Sequence, residues 1–416
     1  MSELKSHRVL GVGLVGLGGA AVNMLPSFER SSGFAIVAAA DADREVLERF
    51  GQDYPGVDIF SSVERLATSP RVDLVYVGTP TRLHGEHARA ALERGKHVLV
   101  EKPMAVTFDE ADAMIALAER NGVLLGVNVK HSFEPRILKL RALVRSGELG
   151  ALRMVHNWRY VDWLYRPRSR AEKTPGRGSG ILWRQGPHQF DLIRTICGGL
   201  LRSVRGAAAV FDRERPVPGA YAAFFECENG IAGTVICSGY DHFSSRQLVA
   251  GFAPITAPDR YAPARRALDE RRNDPNWEEN EAEAERYGGR ETARRGANSG
   301  PSSGWLLAGP LIASFDRGDV RLTRTGLIVD GDEMQWEIPV LSDRDGRDGR
   351  LASYYRAVVD RQPLAADGRW GKATQEVVEA IERSAQTRTE IMLRYQVPVV
   401  DVDESAGLLL GRTLDD

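Results

Sequence analysis

Val9-Leu10-Gly11-Val12-Gly13-Leu14-Val15-Gly16-Leu17-Gly18-Gly19-Ala20-Ala21 is the stretch on which the fold turns. Residues 9–15 form a short apolar run, the pattern of a strand buried on both faces. The run passes directly into Gly16-x-Gly18-x-x-Ala21, and the pattern beyond it, toward Phe28, is helical. In that setting the first glycine permits a tight turn and the second lets backbone approach a pyrophosphate. A small third residue lets helix and strand pack closely. Amide groups at the helix start favour phosphate. The next buried run, 36–40, ends at Asp41, whose carboxylate is placed to accept from both ribose hydroxyls and to repel a 2′-phosphate. NAD is therefore favoured over NADP, a preference tempered by nearby Arg44. Pro26 predicts a kink or an early end to the first helix.

Outward from this unit the alternation continues. Residues 72–77 form a strand closing in Gly78-Thr79-Pro80, and 97–100 form one entering Glu101-Lys102-Pro103. Residues 86–94 read as a helix stopped by Gly95. Thr107-Phe108-Asp109-Glu110 has capping-box spacing and opens a helix ending near Asn121-Gly122. Residues 123–127 are the last strand of the set. The reading is an α/β fold with a doubly wound parallel sheet over 1–128.

The pattern changes over 129–416. A helix at 135–146, a helix starting around Pro187, and strand pairs such as 221–240 with a turn at Asn229-Gly230 predict an α+β domain with a mainly antiparallel sheet. Strands resume over 306–328, and 351–394 holds two helical patterns broken by 363–371. Residues 259–298 are rich in Arg, Glu, Ala and Asn, and read as a solvated helical insertion, a partly disordered loop, or a lid.

Composition narrows the function. With 416 residues, two domains are expected. Lys+Arg of 55 against Asp+Glu of 57 gives a net charge of −2, without the broad basic field of a general nucleic-acid binder. No apolar stretch approaches the ~18–20 residues of a membrane span. The first residues lack a secretory h-region, and the three cysteines, Cys197, Cys227 and Cys237, are sparse and odd in number. These features predict a cytoplasmic enzyme with reduced thiols. His84 and His87 flank Glu86 without a further ligand cluster, so no metal is expected.

Lys102 follows a strand at the carboxyl edge of the sheet, where ligands bind in open α/β folds. There a lysine can hydrogen-bond a substrate hydroxyl and, when desolvated, exchange protons. With Pro187 as first helical residue, His188 and Asp191 lie three apart on one face, so Asp191 can orient the imidazole. On spacing alone a structural and a catalytic His–Asp pair both remain open.

The Gly16 turn, Asp41, Gly78-Thr79-Pro80 with His84, Glu101-Lys102-Pro103 and Gly186-x-His188-x-x-Asp191 together resemble the Gfo/Idh/MocA oxidoreductases, in order from about residue 9 to 397. The resemblance implies an N-terminal Rossmann domain and a C-terminal α+β domain with a large open sheet, and commonly a homodimer or homotetramer. It implies that Gly16, Gly18, Gly19, Ala20, Ala21, Asp41, Thr79, Pro80, His84, Glu101, Lys102 and Asn128 hold the dinucleotide. Lys102 and His188 then face the nicotinamide.

Polyol-oxidising members of that family usually carry Asp four residues before the histidine; here the position is Arg184. A guanidinium cannot serve as base, but it grips a carboxylate through two parallel hydrogen bonds. Trp163-Leu164-Tyr165-Arg166-Pro167-Arg168, Arg184 to Gln189, and Asp367-Gly368-Arg369-Trp370-Gly371 resemble the phthalate 4,5-cis-dihydrodiol dehydrogenase subgroup. The expected substrate is then a carboxylated cis-dihydrodiol, oxidised to the catechol. Arg184, Arg166 and Arg168 supply cations, and Trp163 and Tyr165 supply flat faces. His188, held by Asp191, is the base and Lys102 the hydroxyl's partner, though the two can exchange jobs. A sugar or inositol dehydrogenase is the same-class alternative, and a non-catalytic NAD-binding sensor the different-class one. The expected partner is a small anionic or polyhydroxylated ring, not nucleic acid or membrane.

Overall fold

The computed structural model describes residues 8–176, 178–249, 263–289, 309–340 and 346–401. Strand β1 (Leu10–Val15) is buried along its whole length, as a strand covered on both faces must be. With β2 (Phe34–Ala40), β3 (Asp58–Phe60), β4 (Leu74–Val77), β5 (His97–Glu101) and β6 (Leu125–Asn128) it forms a six-stranded parallel sheet. The order β3-β2-β1-β4-β5-β6 reverses direction at β1, which places the ends of β1 and β4 at a topological switch point. Helices α1 (Gly19–Arg30), α2 (Arg44–Asp53), α3 (Val63–Ala67), α4 (His84–Glu93) and α5 (Phe108–Arg120) make the crossovers. Local signals place their ends: the Thr107 hydroxyl accepts from Glu110 N at 3.1 Å to cap α5. Pro26 lies inside α1, yet the helix runs through it to Arg30.

The second sheet has nine strands in the order β14-β13-β12-β11-β7-β10-β9-β8-β15. Helix α6 (Pro135–Ser146) leads into its first strand, β7 (Leu152–Tyr160), which is followed by α7 (Arg170–Lys173) and α8 (Gly180–Cys197). Strands β8 (Leu201–Ala209), β9 (Ala220–Cys227) and β10 (Ala232–Ser238) follow. Then come α9 (Pro263–Glu270) and α10 (Trp277–Ala284). The rest of the sheet is β11 (Leu311–Phe315), β12 (Gly318–Leu322), β13 (Gly326–Gly331), β14 (Gln335–Pro339) and β15 (Ile391–Met392). All its pairs are antiparallel except β7 with β10. No helix among the described residues is long and apolar enough to cross a membrane.

Two features depart from the sequence reading. Helix α8 starts at Gly180, not at Pro187, which sits inside it. Proline there forfeits only the amide bond to the Trp183 carbonyl, and burial of Ile181, Leu182, Trp183, Phe190 and Leu192 stabilises the helix on either side. Arg184 and His188 therefore lie one turn apart on one helix. The chain also returns to the first sheet. Helix α11 (Gly346–Val359) packs Leu351, Tyr354 and Tyr355 into the same apolar cluster as Phe28, Phe34 and Tyr76. Its Tyr354 hydroxyl donates to Val98 O at 2.8 Å. Helix α12 (Gly368–Thr387) then crosses to α8 and β8. Its first turn, with Trp370, lies where the sequence suggested a break.

Of the charged stretch 259–298, residues 263–289 are described and the remainder lies outside the described residues. The described part is helical and docked. Glu278 Oε1 accepts from Lys173 Nζ at 2.9 Å and from Arg215 Nη2 at 2.8 Å, and its Oε2 accepts from Arg168 N at 3.0 Å. Farther along, Tyr287 N donates to Leu17 O at 3.0 Å, and the Tyr287 hydroxyl donates to Asp53 at 2.9 Å. This strap thus runs from the 163–173 loop to the glycine turn.

Candidate active site

At the dinucleotide end, Gly16 adopts φ +87°, and a Cβ there would stand 2.8 Å from Thr79 Cγ2. Only glycine makes this turn beneath the Gly78-Thr79-Pro80 loop. A Cβ on Gly18 would meet nothing within 4 Å, so the second glycine opens onto space. Helix α1 begins without a side-chain cap, leaving its first amides for an anion. Gly19 and Ala20 form that first turn, and Ala21 is buried against the sheet. The strap's Glu285 carboxylate approaches Gly19, 3.2 Å from where a Cβ would be. Asp41 is held at the mouth of the turn, accepting from Leu17 N at 2.6 Å and Asp43 N at 2.8 Å. Arg44 pairs with Glu48 at 2.7 Å on the exposed side of α2. These residues fit a dinucleotide.

The loops after β4 and β5 are tied together by His84, which is buried. Its ring nitrogens lie 2.8 Å from Thr79 O and 2.8 Å from Pro103 O. Thr79 Oγ1 lies 3.0 Å from His87 Nδ1, and Pro80 is exposed beside them. Glu101 accepts from the Tyr76 hydroxyl at 2.8 Å and from Asn128 Nδ2 at 2.6 Å. This network fixes the end of β5 and so the start of the Lys102 side chain.

Lys102 Nζ reaches 3.4 Å from Arg184 O, the backbone of α8. Burial pushes the Lys102 ammonium down to about 8, helped by Arg184 and Arg159 and opposed by Glu101. His188 lies in the same pocket. Its ring stands edge-on to His131, with centroids 4.9 Å apart. Burial holds His188 well below the usual imidazole range, and Lys102, His131, Lys130 and Arg159 push the same way. The imidazole is neutral at pH 7.

Asp191 does not hold His188. Its Oδ1 accepts from the Trp370 indole Nε1 at 2.7 Å, and the Ser132 hydroxyl lies beside the same carboxylate. The Nδ1 of His188 has no hydrogen-bond partner among the described residues. A three-residue offset on a helix brings Cβ atoms close, but the larger indole on α12 claims the carboxylate first.

The expected substrate cations already face protein carboxylates. Arg166 is exposed and pairs with Asp162 at 2.8 Å, as solvated loop residues do. Arg184 Nη2 lies 3.4 Å from Glu172 Oε1, and Arg168 Nη1 lies 3.6 Å from the same atom. The flat faces are occupied too: Arg168 stacks on Trp163 at 4.1 Å, and Arg265 of α9 on Tyr165 at 3.6 Å. Arg159 was not legible as a site residue. It lies on β7 among the inward positions Val155, Asn157 and Arg159, and is only 4% exposed. Its Nη1 donates to Gln185 Oε1 on α8. A charged residue in register with the inward face of a strand was the available signal.

Comparison with known proteins bears directly on this arrangement. Residues 10–129 match the model described as "Oxidoreductase family, NAD-binding Rossmann fold", and 137–251 match the "GFO/IDH/MocA C-terminal domain". The chain belongs to the Gfo/Idh/MocA oxidoreductases. Within the family, a 1-carboxy-3-chloro-3,4-dihydroxycyclohexa-1,5-diene dehydrogenase of Comamonas testosteroni is 39% identical over 62% of this chain and 66% of its own length. A scyllo-inositol 2-dehydrogenase (NADP(+)) of Bacillus subtilis is 31% identical over 36% of this chain and 42% of its own. The crystal structure of a putative dehydrogenase from Bordetella bronchiseptica RB50 superposes with a TM-score of 0.83 at 32% identity. That match covers 92% of this chain and all of the other.

Proposed function

We propose that this protein is an NAD-dependent dehydrogenase that oxidises a carboxylated cyclohexadiene cis-diol to the catechol. The observation that carries the reading is the charge around His188. Lys102, Lys130 and Arg159 all direct positive charge toward the buried imidazole. A neutral polyol gains nothing from such a pocket, whereas an acid does. The name of the Comamonas relative, a carboxylated dihydroxycyclohexadiene dehydrogenase, supports the same class.

A bound nicotinamide would supply the acceptor for the hydride of one carbinol carbon. The neutral His188 imidazole accepts the proton of the hydroxyl on that carbon, and the Lys102 ammonium donates to the oxygen as negative charge grows on it. The product of this step is a hydroxy-dienone. Its remaining carbinol hydrogen leaves as a proton while the ketone oxygen gains one, giving the catechol. Overall, diol and NAD⁺ give catechol, NADH and one proton.

One observation favours a polyol instead: the guanidinium of Arg184 is shared with Glu172. The test is incubation with NAD and cis-dihydrodiols with and without carboxylates, together with myo-inositol and glucose, following absorbance of the reduced cofactor. Turnover confined to the acidic diols supports the proposal. Efficient turnover of the neutral polyols, with none of the acids, overturns it.

A further inference from the structure

Arg159 carries a full charge in an interior position, 4% exposed, on the sheet face that packs against α8. Isolated buried cations are costly, and in folded proteins they are normally compensated by a carboxylate. Among the described residues, Arg136, Arg194 and Arg215 are satisfied by carboxylates, carbonyls or hydroxyls, while Arg350, whose Nη1 is also unpaired, gives two donors to the Val127 and Ala366 carbonyls. Arg136 bonds to Glu134, Arg215 to Glu278, and Arg194 donates to Trp370 O and the Thr374 hydroxyl. Arg159 has only the neutral amide oxygen of Gln185, and its Nε has no partner among the described residues. Among the described residues no carboxylate pairs with it, whereas its charge reaches Lys102, His131 and His188. It is a cation adjoining the reacting groups with a vacant donor.

We infer that Arg159, braced by Gln185, is the receptor for the substrate's ring carboxylate, and that Arg184 is not. The inference rests on the proposed dihydrodiol reading and sharpens it. Arg184 and Arg168 converge on Glu172 and already have an anionic partner, so a substrate carboxylate there would compete with a protein one. At Arg159 the anion removes an uncompensated charge. Gln185 lies between Arg184 and His188 on α8. The brace thus links the anchor to the helix that carries the imidazole and fixes the ring's orientation relative to His188. A carboxylate at this depth also excludes ligands with a neutral group in its place, because Arg159 would then stay buried and unpaired.

The probe is 3,4-dihydroxybenzoate, a stable catechol carboxylate, with catechol as the neutral control. Binding to the NAD-loaded protein is measured by titration calorimetry for wild type, Arg159→Gln, Arg159→Lys and Arg184→Gln. Arg159→Gln is expected to weaken 3,4-dihydroxybenzoate at least 100-fold while leaving catechol within about threefold. Arg159→Lys should recover part of the loss, and Arg184→Gln should cost less than tenfold. Unchanged NAD affinity and a melting temperature no lower than that of wild type in Arg159→Gln separate a lost anchor from a damaged fold. Should that variant fail to fold, Gln185→Leu, which removes only the brace, must still weaken the acid selectively. A large loss in Arg184→Gln with none in Arg159→Gln overturns the inference and leaves the dihydrodiol reading intact. If wild type binds acid and catechol equally and oxidises neutral polyols, the dihydrodiol reading itself fails.

Discussion

Trp370 Nε1 donates to Asp191 Oδ1 at 2.7 Å, so the carboxylate three residues beyond His188 faces α12 and not the imidazole. Both side chains are buried, and Asp191 is pushed up by burial against the pull of Ser132, Trp370 and Arg194. In this arrangement Asp191 stabilises the seam between α8 and α12. His188 is held neutral by burial and the neighbouring cations.

A Trp370→Phe substitution tests that division of labour. It keeps the ring's packing but leaves Asp191 Oδ1 unpaired in the interior, at a cost of about 1–3 kcal/mol. Urea unfolding should register the loss, while the KM for an acidic diol should change little. A collapse of kcat without loss of stability would instead make Asp191 part of the proton path.

The pH profile distinguishes the roles of Lys102 and His188. A lysine pushed down to about 8 is a cation below that pH and loses its proton above it. As hydrogen-bond donor to the developing oxyanion, Lys102 is needed charged. Then kcat/KM for oxidation should be level from pH 6.5 to about 8 and fall above it. The His188 imidazole, held well below its usual range, adds no acidic limb in that window. In Lys102→Arg the descending limb should move beyond pH 10. A rate that rises through pH 8 would make Lys102 the base.

Cofactor choice should follow Asp41. Removing the carboxylate in Asp41→Ala takes away the repulsion of a 2′-phosphate, and with it the acceptor for Leu17 N and Asp43 N. NAD should bind about tenfold more weakly and NADP more tightly, as read by fluorescence titration of the reduced cofactors.

Glu278→Ala should loosen the strap. Against its own burial, the carboxylate is held below its ordinary titration range by Lys173, Arg215 and Arg168 N. Losing three charge-assisted contacts costs about 1.5–3 kcal/mol each only where no water replaces them, so a smaller net effect of about 2 kcal/mol is expected here. Hydrogen exchange should rise in 277–289, while β1 and β4 keep their protection.

The sequence was most readable where structure is local. The Gly16 turn requires a positive φ, the Thr107 hydroxyl caps its own helix, and Gly95 and Gly230 adopt the left-handed conformations their turns demand. Lys102 and His188 were legible because each sits at a marked motif. Pro187 misled because proline favours a first turn, and nothing local announced that the apolar residues on both sides would hold one helix through it. Arg159 was hidden for another reason: whether a buried arginine has a carboxylate depends on strands and helices distant in sequence. The docking of 277–289 was equally remote, since Glu278 finds its partners more than 60 positions away.

The path of α11 has a consequence for dissecting the molecule. Leu351, Tyr354 and Tyr355 fill the apolar space beside Phe28, Phe34 and Tyr76, and Tyr355 also donates to Arg8 O at 2.7 Å. A fragment cut at residue 128 would surrender part of its own interior and expose aromatic surface to water. Expressed alone, it should aggregate or stay molten, and the intact chain should melt in a single cooperative transition instead of half by half. The border between the two sheets is a change of architecture and not a line of cleavage.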